Sequence, residues 1–562
     1  MASQSLVFLF LLSVPFGITY LITWILYHWA NRPNLTGVSE IPPSLPAALP
    51  ILGHTIPFLF HGISFVRRAT TYAGRLTCVR ISLPLAGIYL FQEPEAVAAL
   101  WKHPLLSSPI FIYTVGLRYL FGMKDRPLET YTADDSGPFR KPHLNSNVVS
   151  HNRVDYLTHD SLLRGLSGAG LAPTFQRCQD MITSQISSLG IGDEWVQMPD
   201  MLLFFRNHVG RAVLQSLFGP LLLDVNPMFM ETLWQFDAAT PWLAKRFPRW
   251  LVPKAYRARD SLLDQIQNWY RHARVNFHES LIMEDGDGDP CWGSKMIRER
   301  QTFLLVADKQ DDASIASADL GLIWTSITNV LPNSMMAVFH IFQDPDLLDR
   351  VRQSLETEGV ISFKPEFTVS MDRLLRNDLL QAVYAETLRL YVQVYVTRCS
   401  AHEPVSVGRW WLGQSDVVMV SSYVNHMNEQ LWNTQDGAHP LDTFWANRFL
   451  LDPTDWRSGP RRIPRDQLDA DHPECDAVGN HPTFSVKGLE GTWIPYGGGS
   501  SACPGRNFAK QMVLFCCAFF VGQFDLDIQA PSSLDMDSTT FGLGTQKPKH
   551  KVSFAIRRRQ GL

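Results

Sequence analysis

Apolar positions are unevenly spread along this chain. From Met1 to Asn31 there is no Asp, Glu, Lys or Arg, and Leu6 to Ala30 is almost wholly apolar. As one helix, residues 6–30 would extend about 37 Å at ~1.5 Å per residue, enough for a tilted crossing of a bilayer core. Pro15 is tolerable in such a helix, and Trp24, Tyr27 and Trp29 gather at its far end like an interfacial belt. No positive charge precedes the apolar run, which argues against a cleaved signal peptide. Residues 6–30 are therefore expected to be a single transmembrane anchor.

Prolines at 42, 43, 46 and 50 forbid a continuous helix in the next stretch, and 31–54 reads as a stiff hinge. The body, 55–562, begins with short apolar runs over Gly74 to Phe91 that predict strands. Helical periodicity dominates from Asp155 to Leu390. Strands are expected again at Val417 to Val424 and His550 to Arg558. The turn-rich Met283 to Pro290 reads as a surface loop, and Leu451 to Glu490, rich in Pro, Asp and Gly, as a long irregular one. No internal repeat interrupts this pattern. The fold class is mainly α with a smaller β region.

Composition adds exclusions. A chain of 562 residues with 45% hydrophobic and 19% charged positions is globular, with ample material for a large core. Its net charge of −4, without long basic runs, gives no nucleic-acid footprint. Eight scattered cysteines without a CxxC pair argue against a disulfide framework or a thiolate zinc site. The sequon at Asn34 is expected to be unused if that side of the membrane is cytosolic.

Three segments carry chemistry. Arg376 to Tyr391 has an apolar helical stripe at Leu379, Val383 and Leu390, with Glu386 and Arg389 on or beside it. Charges on a buried face are costly unless paired, and an i, i+3 spacing lets these two meet. Arg448 lies further on, among polar and aromatic neighbours in Asp442 to Leu450. Then comes "YGGGSSACPG", where Tyr496, Gly499, Cys503 and Gly505 give the spacing aromatic-x-x-Gly-x-x-x-Cys-x-Gly.

In this order, these segments resemble the cytochrome P-450 family, and the anchor plus hinge resembles its microsomal members. The resemblance implies haem b, with Cys503 as the axial iron ligand and a structural cluster of Glu386, Arg389 and Arg448. A thiolate ligand pushes electron density toward haem iron and favours O–O cleavage. Gly499 would allow a tight turn under the porphyrin, and Gly505 a close pass of the following helix. Cys516 and Cys517 in that helix are expected to be buried and inert. "CPGR" and "ETLRLYVQVYVTR" are similar to the sterol 7α-hydroxylase and prostacyclin synthase branch, in which Arg398 would hold a haem propionate. The second propionate partner stays open.

The helix Ala318 to Phe342 should cross the opposite side of the haem. Where the family usually places an acid and a threonine, "TNVLP" puts Asn329 and Val330, and Val330 has no hydrogen bond to give. Pro332 lacks an N–H, so the Thr328 carbonyl would lose its helical partner. Thr328 and Asn329 are the candidate distal catalytic residues. The resemblance implies a monooxygenase that oxidises, by hydroxylation in the first instance, a lipophilic molecule such as a sterol, terpenoid or polyketide. Electrons would come from an NADPH-dependent reductase at the endoplasmic reticulum membrane, with the catalytic domain cytosolic. A reductase-independent isomerase or dehydratase acting on a peroxide, and a non-enzymatic haem-binding protein, are the alternatives.

Overall fold

The computed structural model describes residues 2–30, 40–74, 76–84, 86–364, 366–462 and 481–560. The Asn34 sequon, Cys475 and the centre of the long irregular loop lie outside the described residues. The helices that shape the site are α1 (Ala2–Ala30), α2 (Gly62–Ala73), α3 (Val154–Gly165), α4 (Phe229–Ala244), α5 (Pro253–Asn276), α6 (Asp312–Thr328), α7 (Val330–Gln343), α8 (Asp378–Tyr391) and α9 (Arg506–Gln523). The strands are β1 (Cys78–Leu83), β2 (Ala86–Phe91), β3 (Val196–Met198), β4 (Val392–Arg398), β5 (Val417–Ser421), β6 (Phe524–Ile528), β7 (Leu543–Thr545) and β8 (Phe554–Arg558). One sheet runs β1-β2-β5-β4-β7 and a second β6-β8-β3. Only the β2–β5 pairing in these two sheets is parallel.

Helices fill the centre, and the sheets flank it. α9 packs extensively on α7, and α8 packs on both. The apolar run of α9 explains this, since Met512 to Val521 is buried throughout, including Cys516 and Cys517. α8 begins at Asn377, whose side chain accepts the Leu380 N–H at 2.8 Å as a helix N-cap. β5 ends sooner than its apolar run, because Ser422–His426 turns into a short helix.

Two expectations change. The helix expected over 318–342 is two helices, broken at Asn329 with φ −98° and ψ −40°. Pro332 sits in the first turn of α7, where a missing N–H costs little.

The second concerns the N-terminus. A helix does cover Ala2–Ala30, but among the described residues no helix is long and apolar enough to cross a membrane. The transmembrane anchor over 6–30 is thus not supported. Its last turns are tied to the body: Thr23 Oγ1 accepts the Ala47 N–H at 2.9 Å, and Tyr27 Oη donates to the Tyr72 carbonyl at 3.0 Å. The hinge, described from residue 40, runs along the sheet, with the Leu45 N–H bonded to the Arg80 carbonyl at 2.9 Å.

Candidate functional site

The cysteine loop joins a short 3₁₀ turn, Gly499–Ser501, to the N-terminus of α9. The Cys503 N–H donates to the Tyr496 carbonyl at 3.0 Å, closing the loop. Tyr496 is itself held to α8, because the Tyr384 hydroxyl donates to the Tyr496 hydroxyl at 3.0 Å. Gly497 and Gly499 adopt φ of +69° and +67°, a conformation that glycine takes without strain. A Cβ on Gly499 would lie 2.4 Å from the Trp101 carbonyl oxygen, and one on Gly498 2.5 Å from the Trp101 ring. The glycines therefore let the loop lie against Trp101. Gly505 is less crowded: a Cβ there would find its nearest neighbours, Cys503 Sγ and Leu166, at 3.9 Å.

Cys503 is the one exposed thiol among the described cysteines; the others are buried. Even so, desolvation is the largest influence on its titration and raises its pKa. Backbone hydrogen bonding from Gly505 and Arg506, and the Arg506 charge, pull the other way. The position of the cysteine at the start of α9 adds the favourable end of a helix dipole. Cys503 is therefore an accessible thiol just ahead of α9, with the main-chain N–H groups of Gly505 and Arg506 near its sulfur.

Arg398, at the end of β4, is only 5% exposed. Its guanidinium donates to the carbonyls of Gly498 at 3.0 Å and Ser501 at 3.3 Å, and stacks over the Trp101 ring at 5.0 Å. Burial lowers its pKa to about 10. No ion pair among the described residues includes it. Beside it, Trp101 Nε1 and Ser501 Oγ are buried without a hydrogen-bond partner. On α3, burial lowers the pKa of His159, which also contacts the main chain of Ser500 and feels the charges of Arg506 and Arg398. Trp101 and His159 escaped the sequence reading, since no local pattern marks a residue that reaches the loop from so far along the chain.

Behind the loop, Glu386, Arg389 and Arg448 are fully buried and in contact. Arg389 grips Glu386 with two hydrogen bonds of 2.7 and 2.8 Å, and Arg448 Nε reaches it at 3.1 Å. The spare guanidinium protons go to the carbonyls of His426, Leu441, Asn433, His439 and Pro440. A buried carboxylate and two buried cations are tolerable only when saturated in this way. Here they tie the end of α8 to the segment that carries Arg448.

Across the molecule, the Thr328 hydroxyl donates to the Trp324 carbonyl at 2.8 Å, so its proton is already committed. Asn329 Oδ1 accepts the Thr545 N–H at 2.9 Å. Val330 is buried.

These features can be set beside known proteins. The Cytochrome P-450 family model matches residues 220–554. The chain is 32% identical to cytochrome P-450 monooxygenase efuG of Hormonema carpetanum, over 98% of this chain and 96% of that one. The chain belongs to the cytochrome P-450 family. It is more distantly similar to cholesterol 7-alpha-monooxygenase of Cricetulus griseus, with 22% identity over 57% of each chain. Its fold matches a crystallised cytochrome P-450, CYP102L1, with TM-score 0.59 and 14% identity, over 93% of this chain and 100% of that one.

As a P-450 it is an oxidoreductase, a monooxygenase that uses haem iron with an axial cysteine thiolate, acts on a small molecule and takes electrons from a redox partner. The residues present fit that group. An accessible thiol at a helix start suits an iron ligand. A buried arginine with no carboxylate partner, beside an orphaned indole N–H and an orphaned hydroxyl, suits a propionate. Among the described residues, no group of three His, Cys, Asp or Glu side chains is arranged to hold a bare metal ion.

Proposed function

We propose that Cys503 is the axial ligand of this P-450, that Arg398 holds one haem propionate, and that Asn329 faces the reacting molecule from the distal side. The observation that carries this reading is Cys503 itself, accessible at the start of α9 with main-chain N–H groups directed at its sulfur. Bound haem iron supplies the activation of dioxygen. The protein's own work is to keep the sulfur anionic, anchor the acid groups of the cofactor, and present hydrogen-bond donors in a dry cavity. Thr328 can take part only by giving up its bond to Trp324.

The substrate we assign is lipophilic, of sterol or terpenoid kind, and the reaction is hydroxylation with electrons from an NADPH-dependent reductase. Cholesterol 7-alpha-monooxygenase, by its name, acts on a sterol, which supports the substrate class. The surface also supports work at a membrane. α1 exposes Phe16, Leu21, Ile22, Ile25 and Leu26. Further exposed apolar residues are Trp242 near the end of α4, linked to exposed Phe60 through the Phe247 ring, and Trp250 and Leu251 in the turn before α5, with Trp250 80% exposed. Lys245 lies over the Phe60 ring at 5.2 Å, adding positive charge where lipid headgroups would meet the protein. We assign the chain to the endoplasmic reticulum membrane with its body on the cytosolic side.

A substrate screen with purified protein, NADPH and a P-450 reductase tests this reading. Hydroxylated product that requires both NADPH and reductase is expected. Rearrangement of a hydroperoxide without either, together with no NADPH-dependent product, would overturn it.

A further inference from the structure

We propose that Gly544 and Thr545 of β7 are positioning residues that fix the direction of the Asn329 carboxamide, so that its NH₂ group faces the distal cavity as a permanent donor. This rests on the assignment of Asn329 to the distal side given above. The Thr545 main-chain N–H can only donate, so the amide atom 2.9 Å from it is the oxygen. The NH₂ group must then point away from β7, and it has no hydrogen-bond partner among the described residues. Asn329 is partly exposed, although Thr328 and Val330 on either side are buried.

Two features bring α7 and β7 together around this amide. Gly544 lies against it so closely that a Cβ would come within 2.3 Å of Asn329 Oδ1. That glycine has an ordinary φ, so its smallness is needed for space and not for backbone shape. Asn333, one turn along α7, bridges the two elements: its Nδ2 donates to the Asn329 carbonyl at 2.9 Å and to Thr545 Oγ1 at 3.0 Å.

The strand itself is held firmly. Leu543, Gly544 and Thr545 pair with Val394, Gln393 and Val392 of β4. The Gln546 N–H donates to the Tyr391 carbonyl at 2.9 Å. Lys547 donates to buried Asp237 on α4, which also accepts the Trp324 indole N–H at 3.0 Å. A fixed strand therefore sets a fixed amide at the break between α6 and α7. This gives the break a use: it releases Asn329 from regular helix geometry, and β7 then orients it.

The C–O stretching frequency of the ferrous carbonyl complex of the full chain tests this, because a donor beside bound carbon monoxide lowers that frequency. Every variant is first checked for the thiolate-type Soret band. Asn329→Ala and Asn329→Asp are expected to raise the stretch, since Asp keeps the acceptor for Thr545 but has no N–H. Gly544→Ala should raise it equally with Asn329 still present. Should Gly544→Ala fail to load haem, Asn329→Gln serves instead, since its amide is one methylene out of register with Thr545. A wild-type stretch in Gly544→Ala or Asn329→Gln, with a shifted one in Asn329→Ala, would overturn the positioning role alone. A wild-type stretch in Asn329→Ala would overturn the distal assignment beneath it.

Discussion

Arg398 stacks over Trp101 at 5.0 Å; the guanidinium is bonded to main-chain carbonyls but meets no carboxylate, and the indole N–H is buried without an acceptor. A propionate would answer both. Charge-assisted hydrogen bonds contribute about 1.5–3 kcal/mol each, so Arg398→Leu should speed haem transfer to apomyoglobin by roughly 10- to 100-fold. Trp101→Phe should speed it less, because it removes a neutral donor. Unchanged transfer in Arg398→Leu would remove Arg398 from the haem site.

The Glu386 cluster makes a stability prediction. Removing one partner of a buried ion pair typically costs about 3–5 kcal/mol, because the remaining charges are stranded. Glu386→Ala strands two arginines at once, so the yield of soluble, haem-loaded protein should collapse. Soret absorbance per protein, with a thermal melt of what remains, measures this. A normal melt and normal loading would show that the cluster is dispensable.

Acid sensitivity follows from two buried histidines. Burial lowers the pKa of His340 to about 3, and the same cause, aided by the Arg389 charge, lowers that of His426 to about 3. Between an unfolded value near 6.5 and about 3, the unfolded chain binds protons that the folded chain does not. Stability is therefore complete above about pH 6.5 and is lost as pH falls, by up to ~1.4 kcal/mol per pH unit for each histidine. His426 Nε2 accepts the Ile494 N–H at 3.0 Å, just ahead of the cysteine loop, so protonation breaks that support. In denaturant melts from pH 7.5 to 5, His426→Gln should show a shallower slope than wild type. An equal slope would assign the acid loss to other groups.

The apolar surfaces predict a two-point contact with lipid. Deleting residues 2–22 should weaken flotation with anionic vesicles without abolishing it. Adding Trp250→Ser and Leu251→Ser should abolish it. Full flotation by the combined variant would place the membrane contact elsewhere.

The parts legible in sequence are those whose chemistry is local. The glycine and cysteine spacing of the loop needs only a short run of chain, and Glu386 and Arg389 meet because an i, i+3 helix spacing makes them meet. The strands from Cys78 and at Phe554 also follow short-range patterns. What the sequence hid depends on distant partners. Trp101 and His159 reach the loop from segments far from Cys503, and nothing near either residue marks that role. Neither the break at Asn329 nor its latch to Thr545 was readable: the local pattern gives one helix from Ala318 to Phe342, with only a lost carbonyl bond ahead of Pro332. The docking of Thr23 and Tyr27 on the body was equally invisible, and it changed the reading of the N-terminal helix.

The most direct measurement is the absorption spectrum of the reduced carbonyl complex of Cys503→Ala beside the wild type. Wild-type protein should show the red-shifted Soret band of thiolate-ligated haem, and the variant should lose it even where some haem is retained. A variant that keeps that band would mean that another residue ligates the iron, and the central assignment would be wrong.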